Sequence, residues 1–346
     1  MKRGKHTYQE IMSQGNTWKL TLESLDSQFA KLVEWLRQPR KEVIFAGCGS
    51  THYLSLSAAF VWNSITGTPA TGIPASELWL FPKSVIMEKP TLLVAVSRSG
   101  ETSETLHAVE TFCEQTNSEF LSISCYEDRE LVLMTPYKLI AQGGEEHSVA
   151  QTRSFTSMLI LAQYAAGVTA NDMRYMNDIR RLPDAFDQLV QKYETVAFTL
   201  AQNKEFDHFV FLGSGYNYGL ACEAMLKMKE MSLSVSEAFH FLEFRHGPKS
   251  MVSPRTLIIG LINDVTRDHE IAVLEEMKTL GASVLVLDET GDGINADYVV
   301  ELRSGLSTLA RGPLLLPILQ LLAYYRSMNN GLNPDRPKNL EVVVKL

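Results

Sequence analysis

Short, unbroken apolar runs alternate with longer amphipathic segments along most of the chain. KEVIFAG (41–47) precedes THYLSLSAAFVWNSITG (51–67), TLLVAVS (91–97) precedes TSETLHAVETFCEQ (102–115), and FLSISC (120–125) precedes a long helical region. An apolar run without period-two alternation belongs to a strand covered on both faces, and strands separated by helices pair in parallel. The pattern therefore predicts an α/β fold, a parallel sheet layered with helices.

The pattern then starts again. A charged helical segment, NDMRYMNDIRRLPDAFDQLVQKYETVAFTLAQ (171–202), reads as a connector, and the chain beyond it repeats the beginning. VIFAGCGSTHYLSLSAAF (43–60) matches FVFLGSGYNYGLACEAML (209–226) in plan: an apolar strand, a Gly-x-Gly turn and a helix begun by polar residues. PTLLVAVSRSGETSETLHAVE (90–110) parallels PRTLIIGLINDVTRDHEIAVLEEM (254–277) at a similar separation. Two copies of one unit are expected, with a helical arm at 1–30, a first domain at 31–185 and a second at 186–346.

Composition narrows the partners. A net charge of −8 and an isoelectric point near 5.6 leave no basic footprint for nucleic acid, although local geometry can still hold a small anion. Cys48, Cys113, Cys125 and Cys222 are far apart with no C-x-x-C pair, which reads as free thiols in a reducing compartment and points to the cytoplasm. The first eighteen residues lack the apolar centre of a signal peptide, and GPLLLPILQLLAYY (312–325) is too short and too Pro-interrupted to cross a bilayer. Eight histidines without H-E-x-x-H or clustered acidic residues call for no metal, and nothing calls for a cofactor.

The candidate chemistry starts where the third apolar run ends. Ser97, Ser99, Thr102, Ser103 and Thr105 crowd around Gly100, whereas the second copy has INDVTRD (262–268) in place of SRSGETS (97–103). Strand ends that feed helix N-termini attract anions, so Ser97, Arg98, Ser99 and Thr102, with Ser50 and Thr51 of the neighbouring turn, could enclose a phosphate. Ordinary helix capping by Ser and Thr before Glu is the alternative. There is no Walker loop, and Gly47-Cys48-Gly49 lacks the third glycine of the dinucleotide fingerprint, which favours a sugar phosphate over a nucleotide.

In the second copy Glu223, Lys227 and Glu230 fall at spacings of four and three, on one helical face. Such a row is either a solvated salt-bridge stripe or a partly desolvated carboxylate with a cation. His246, in FRHGP, stands beside a Gly-Pro turn and could supply the second titratable group of a sugar isomerisation. His240 lacks that rigid turn and is the lesser candidate.

Taken in order, AGCGSTHY, SRSGET, EEHSVAQTRSFTS, MLKMKEMS, RHGP and LPILQLLAYYRSMNNGLNPDRPKNL resemble the sugar isomerase (SIS) family, above all the isomerase half of glucosamine-6-phosphate synthase and the amino-sugar-phosphate deaminases and isomerases. The resemblance implies two tandem SIS domains, each a flavodoxin-like αβα sandwich with a parallel sheet. It implies that Ser50, Thr51, Ser97, Arg98, Ser99 and Thr102 hold the phosphate of a sugar 6-phosphate and that Val149 and Gln151 line the sugar. Glu230 becomes the base that moves a proton between C1 and C2, Lys227 its companion, and His246 the ring-opening group, contributed across a homodimer interface.

Three departures from the synthase matter. Arg98 stands where it usually has Gln. Val342 stands where it has a Schiff-base lysine near the C-terminus, with Lys345 three residues late. The chain starts Met1-Lys2-Arg3, without a nucleophilic cysteine or room for a glutaminase domain, so no source of nascent ammonia is expected. The expectation is an amino-sugar-6-phosphate deaminase or isomerase. A fructosamine-6-phosphate deglycase and a non-catalytic sugar-phosphate sensor are the alternatives; deglycases resemble E-Y-F-H-G-P more than the EFRHGP found here, and the N-terminal segment has no basic recognition helix.

Overall fold

A computed structural model describes residues 3–87 and 89–346. Met1 and Lys2, on which the expectation about an N-terminal nucleophile falls, lie outside the described residues, as does Glu88. The described residues form ten strands, the apolar runs among them: β1 (Glu42–Gly47), β2 (Ala70–Pro74), β3 (Thr91–Val96), β4 (Leu121–Ser124), β5 (Lys138–Ile140), β6 (His208–Gly213), β7 (Val235–Phe239), β8 (Thr256–Leu261), β9 (Ser283–Asp288) and β10 (Tyr298–Glu301). They build two five-stranded sheets, in the orders β2-β1-β3-β4-β5 and β10-β9-β8-β6-β7, and every pairing is parallel. Read from the other edge, the second order is the first one repeated, the doubly wound order of flavodoxin-like folds. The central strands β3 and β8 are buried along their whole length, as continuous apolar runs require.

The duplication extends to backbone angles. Gly49 (φ 57°, ψ −122°) and Gly215 (φ 55°, ψ −125°) each stand at the N-cap of a 17-residue helix, Ser50–Thr66 and Tyr216–Ser232. The preceding glycines are needed for a different reason. A Cβ on Gly47 would lie 2.6 Å from the backbone carbon of Thr51, and one on Gly213 would lie 2.4 Å from the carbonyl oxygen of Asn217. The contact atoms are backbone and cannot swing aside, so Gly47→Ala is expected to lower stability by about 1–3 kcal/mol, the usual cost of overpacking. Urea unfolding followed by circular dichroism checks it.

Two compact units emerge. Among the described residues, one comprises 13–87, 89–146, 153–181 and 341–346 and carries the first sheet; the other comprises 3–12, 147–152 and 182–340 and carries the second. The main division, at 181/182, falls four residues before the one expected from the sequence, but three short segments change sides. The expected N-terminal arm is split, because in the helix Lys5–Met12 the Thr7 N–H and hydroxyl both donate to Asp335 Oδ1, at 2.8 and 2.9 Å. Local periodicity carries no trace of such long-range bonds.

Candidate active site

In the first unit the hydroxyl-rich loop sits where β1 and β3 adjoin, the edge at which such sheets bind ligands. Ser97 N still donates to Ile123 O (3.0 Å), after which Gly100, at φ 66°, reverses the chain. Gly100 N donates to Ser97 Oγ (3.1 Å), Ser97 Oγ lies 3.4 Å from Thr102 Oγ1, and Glu101 N donates to Ser99 Oγ (3.2 Å). Thr102 is the N-cap of the helix Ser103–Thr116, yet its side chain makes no capping bond. The hydroxyls therefore serve the loop, and the capping alternative is not what the geometry uses.

The other phosphate candidates differ among themselves. Ser50 opens its helix and is buried. The Thr51 hydroxyl is engaged within the turn, accepting from Cys48 N (2.8 Å) and donating to Cys48 O (2.9 Å). Arg98 points inward: Nη1 lies 3.4 Å from Glu146 Oε2 and Nη2 donates to Val342 O (3.1 Å). Glu146 in turn accepts from Ser154 N (3.2 Å) and Ser154 Oγ (2.5 Å). The charge of Arg98 is thus balanced by a buried carboxylate, a pairing that the sequence reading missed; the adjacent acidic pair in EEHSVAQ was the available signal. Beyond Val342 the chain stays on this loop, with Ser103 N reaching Val344 O (3.5 Å) and Leu346 N donating to Ser103 Oγ (3.2 Å).

In the second unit the helix Tyr216–Ser232 carries the acidic row, and the row is not a solvated stripe. Lys227 is fully buried with its Nζ 3.3 Å from Glu223 Oε1, and it also contacts Glu230 Oε2. Burial alone would push the Lys227 ammonium down, but the flanking Glu223 and Glu230 carboxylates outweigh it and hold it above the ordinary lysine value. The Glu223 and Lys227 side chains are 0% exposed and that of Glu230 is 18% exposed, so Glu230 is the solvent-accessible member of the row.

Val149 and Gln151 lie on the short segment of this unit at 147–152. Burial alternates along it: Ser148, Ala150 and Thr152 are buried, while Val149 and Gln151 are half-buried. Gln151 Oε1 is itself buried and has no hydrogen-bond partner among the described residues, an acceptor suited to a ligand hydroxyl. His246 is exposed at the turn between Phe241–Phe244 and the 3₁₀ segment Pro248–Met251. His240 stacks on Tyr218, with ring centroids 3.7 Å apart.

In the second sheet the corresponding strand end is closed by the chain's own carboxylate. At the end of β8, Asn263 N donates to Glu270 Oε2 (2.7 Å) and Thr266 Oγ1 donates to Glu270 Oε1 (2.7 Å). Burial pushes the Glu270 carboxyl up, opposed by these bonds. A carboxylate of the chain thus occupies the donors at this strand end.

Each unit is thus a doubly wound α/β sheet, the first with a hydroxyl loop at its switch point and the second with a buried acid-base row. The SIS domain family model matches residues 36–167 and 204–323, and the chain belongs to that family. It is 29% identical over 339 residues to the glutamine–fructose-6-phosphate aminotransferase (isomerizing) of Pseudomonas aeruginosa, covering 93% of this chain and 54% of that protein. The enzyme of the same name from Buchnera aphidicola is 30% identical over 304 residues, covering 85% and 49%. The chain therefore spans about half the length of these curated relatives. Among solved structures, glucosamine-6-phosphate deaminase from Thermotoga maritima is 28% identical with a TM-score of 0.79, covering 99% of this chain and 100% of that one. A structure described as a putative tagatose-6-phosphate ketose/aldose isomerase from Clostridium novyi is 25% identical with a TM-score of 0.89, covering 99% and 94%.

Proposed function

We propose that the chain is an amino-sugar-6-phosphate deaminase/isomerase that moves a proton between C1 and C2 of its substrate. The observation that carries this reading is the row Glu223, Lys227 and Glu230, in which a buried cation supports two carboxylates and the last is left accessible. In this reading Ser97, Ser99 and Thr102, with Ser50, hold the phosphate. Thr51 braces the turn, Arg98 braces the loop through Glu146, and Val149 and Gln151 contact the sugar.

The chemistry follows from carbonyl acidity. His246, exposed and placed by the proposal at the site of a partner copy in a homodimer, assists opening of the ring to the free aldehyde. Glu230 takes the C2 proton, acidified by the adjacent carbonyl, and the resulting enediol-type intermediate receives a proton at C1. With nitrogen at C2 the product is a ketimine; water adds to C2 and ammonia leaves, giving the ketose 6-phosphate. With oxygen at C2 the same proton transfers give aldose–ketose isomerisation directly. Likeness to the Thermotoga maritima deaminase over essentially both full chains supports the first outcome, and the higher TM-score with the Clostridium novyi structure supports the second.

Incubation with glucosamine 6-phosphate, galactosamine 6-phosphate, tagatose 6-phosphate and a fructosamine 6-phosphate, scoring ammonia, ketose or aldose phosphate and free amine, tests the reading. Ammonia with a ketose phosphate is the expected result. Release of free amine from the fructosamine adduct alone would assign a deglycase, and binding without turnover a sensor. Within this reading Ser97→Ala removes a hydrogen bond to a charged group, a contribution of about 1.5–3 kcal/mol, so KM is expected to rise roughly 10- to 100-fold with kcat little changed. Steady-state kinetics on the preferred substrate separates the two constants.

A further inference from the structure

The segment 147–152 has no regular secondary structure, yet it is held from two sides, and both holds lead to the helix Lys5–Met12. Glu10 is 3% exposed. Its Oε1 accepts from His147 N (2.6 Å) and from Ser148 N (3.3 Å), and its Oε2 accepts from the Ser148 hydroxyl. Three residues earlier, and so on the same helical face, Thr7 fixes Asp335, whose backbone carbonyl accepts from Val149 N (3.1 Å). Gln320 Nε2 adds a longer bond to Thr152 O (3.4 Å). Each of these groups of the segment that meets the Glu10 carboxylate is a donor, which suits an ionised acid and leaves an amide in the same place with an N–H group turned on another donor.

These bonds decide which residues of the segment face outward. Pinning the Ser148 N–H and hydroxyl turns Ser148 in, and the alternation then leaves Val149 and Gln151 half-buried, with Gln151 Oε1 a buried acceptor that has no partner among the described residues. We propose that Glu10 is a positioning residue for sugar recognition: through Ser148 it sets the register in which Val149 and Gln151 meet the sugar, while taking no part in holding the phosphate. The proposal rests on the sugar-phosphate reading above.

The test compares affinities for glucosamine 6-phosphate and for inorganic phosphate, by titration calorimetry, in the wild type, Glu10→Gln and Ser148→Ala. Ser148→Ala deletes only a hydroxyl and serves if Glu10→Gln lowers stability. The expected result is a loss of roughly tenfold or more in affinity for the sugar phosphate with phosphate affinity unchanged, together with faster hydrogen exchange at the Ser148 and Val149 amides. Where turnover is present, KM should rise more than kcat falls. Parallel weakening of both ligands, or no change in either, would overturn the proposal. Wild-type binding of the sugar phosphate without turnover would sink the enzymatic reading and leave this one standing or falling on the affinity ratio. Failure of the wild type to bind it at all would overturn both.

Discussion

Glu230→Gln is expected to reduce kcat for deamination or isomerisation by about 10²–10⁴, the usual contribution of a positioned general base. The amide keeps the shape and the hydrogen bond near Lys227 but cannot accept the C2 proton. Because Glu230 is the accessible end of the row, at 18% side-chain exposure against 0% for the other two, the fold should survive the change. Substrate affinity should move little, since the proposed phosphate contacts lie in the Ser97–Thr102 loop. Kinetics on purified variant with an unchanged unfolding transition is the measurement; a KM defect with normal kcat would mean that Glu230 binds rather than transfers protons.

Lys227→Ala should have the largest effect on stability. Removing the ammonium leaves Glu223 fully buried with this ion-pair partner gone, and breaking a buried pair from one side typically costs about 3–5 kcal/mol. The pH dependence has a definite sign. The folded-state value of Lys227 is raised, by Glu223 and Glu230 against the opposing effect of burial, so its contribution is complete below the ordinary lysine value of 10.5 and is lost as pH rises through the folded value. The gap between wild type and variant should hence be constant through neutral and mildly alkaline pH and narrow only beyond 10.5. Adding Glu223→Gln to the variant should recover part of the loss, because it removes the buried charge that Lys227 balanced. Denaturant titrations at several pH values read all three outcomes.

Much of this was legible in the sequence, for physical reasons. Short apolar runs rich in β-branched residues, such as TLLVAVS, fit buried strands, whereas the longer run LPILQLLAYY is helical, and the paired Gly-x-Gly turns reappear as Gly49 and Gly215 with nearly identical angles. The hydroxyl loop stood out because its second-copy counterpart had lost its serines; there Glu270 accepts from Asn263 N and Thr266 Oγ1 instead. Bonds between distant segments were out of reach. Neither helical periodicity nor motif spacing says that Thr7 binds Asp335, that Glu10 holds Ser148, or that Arg98 is neutralised by Glu146. For the row Glu223, Lys227 and Glu230 the spacing fixed a shared face but not its burial, which depends on what packs over it.

Isotope transfer tests the central claim most directly. Turnover of the preferred sugar phosphate in deuterium oxide, followed by proton NMR of the ketose product, should show deuterium arriving at C1 with the wild type. In Glu230→Gln the deuterium should fall with kcat, while the variant still binds the sugar phosphate with near wild-type affinity. Deuterium incorporation at the wild-type rate in Glu230→Gln would contradict the assignment of this carboxylate as the base.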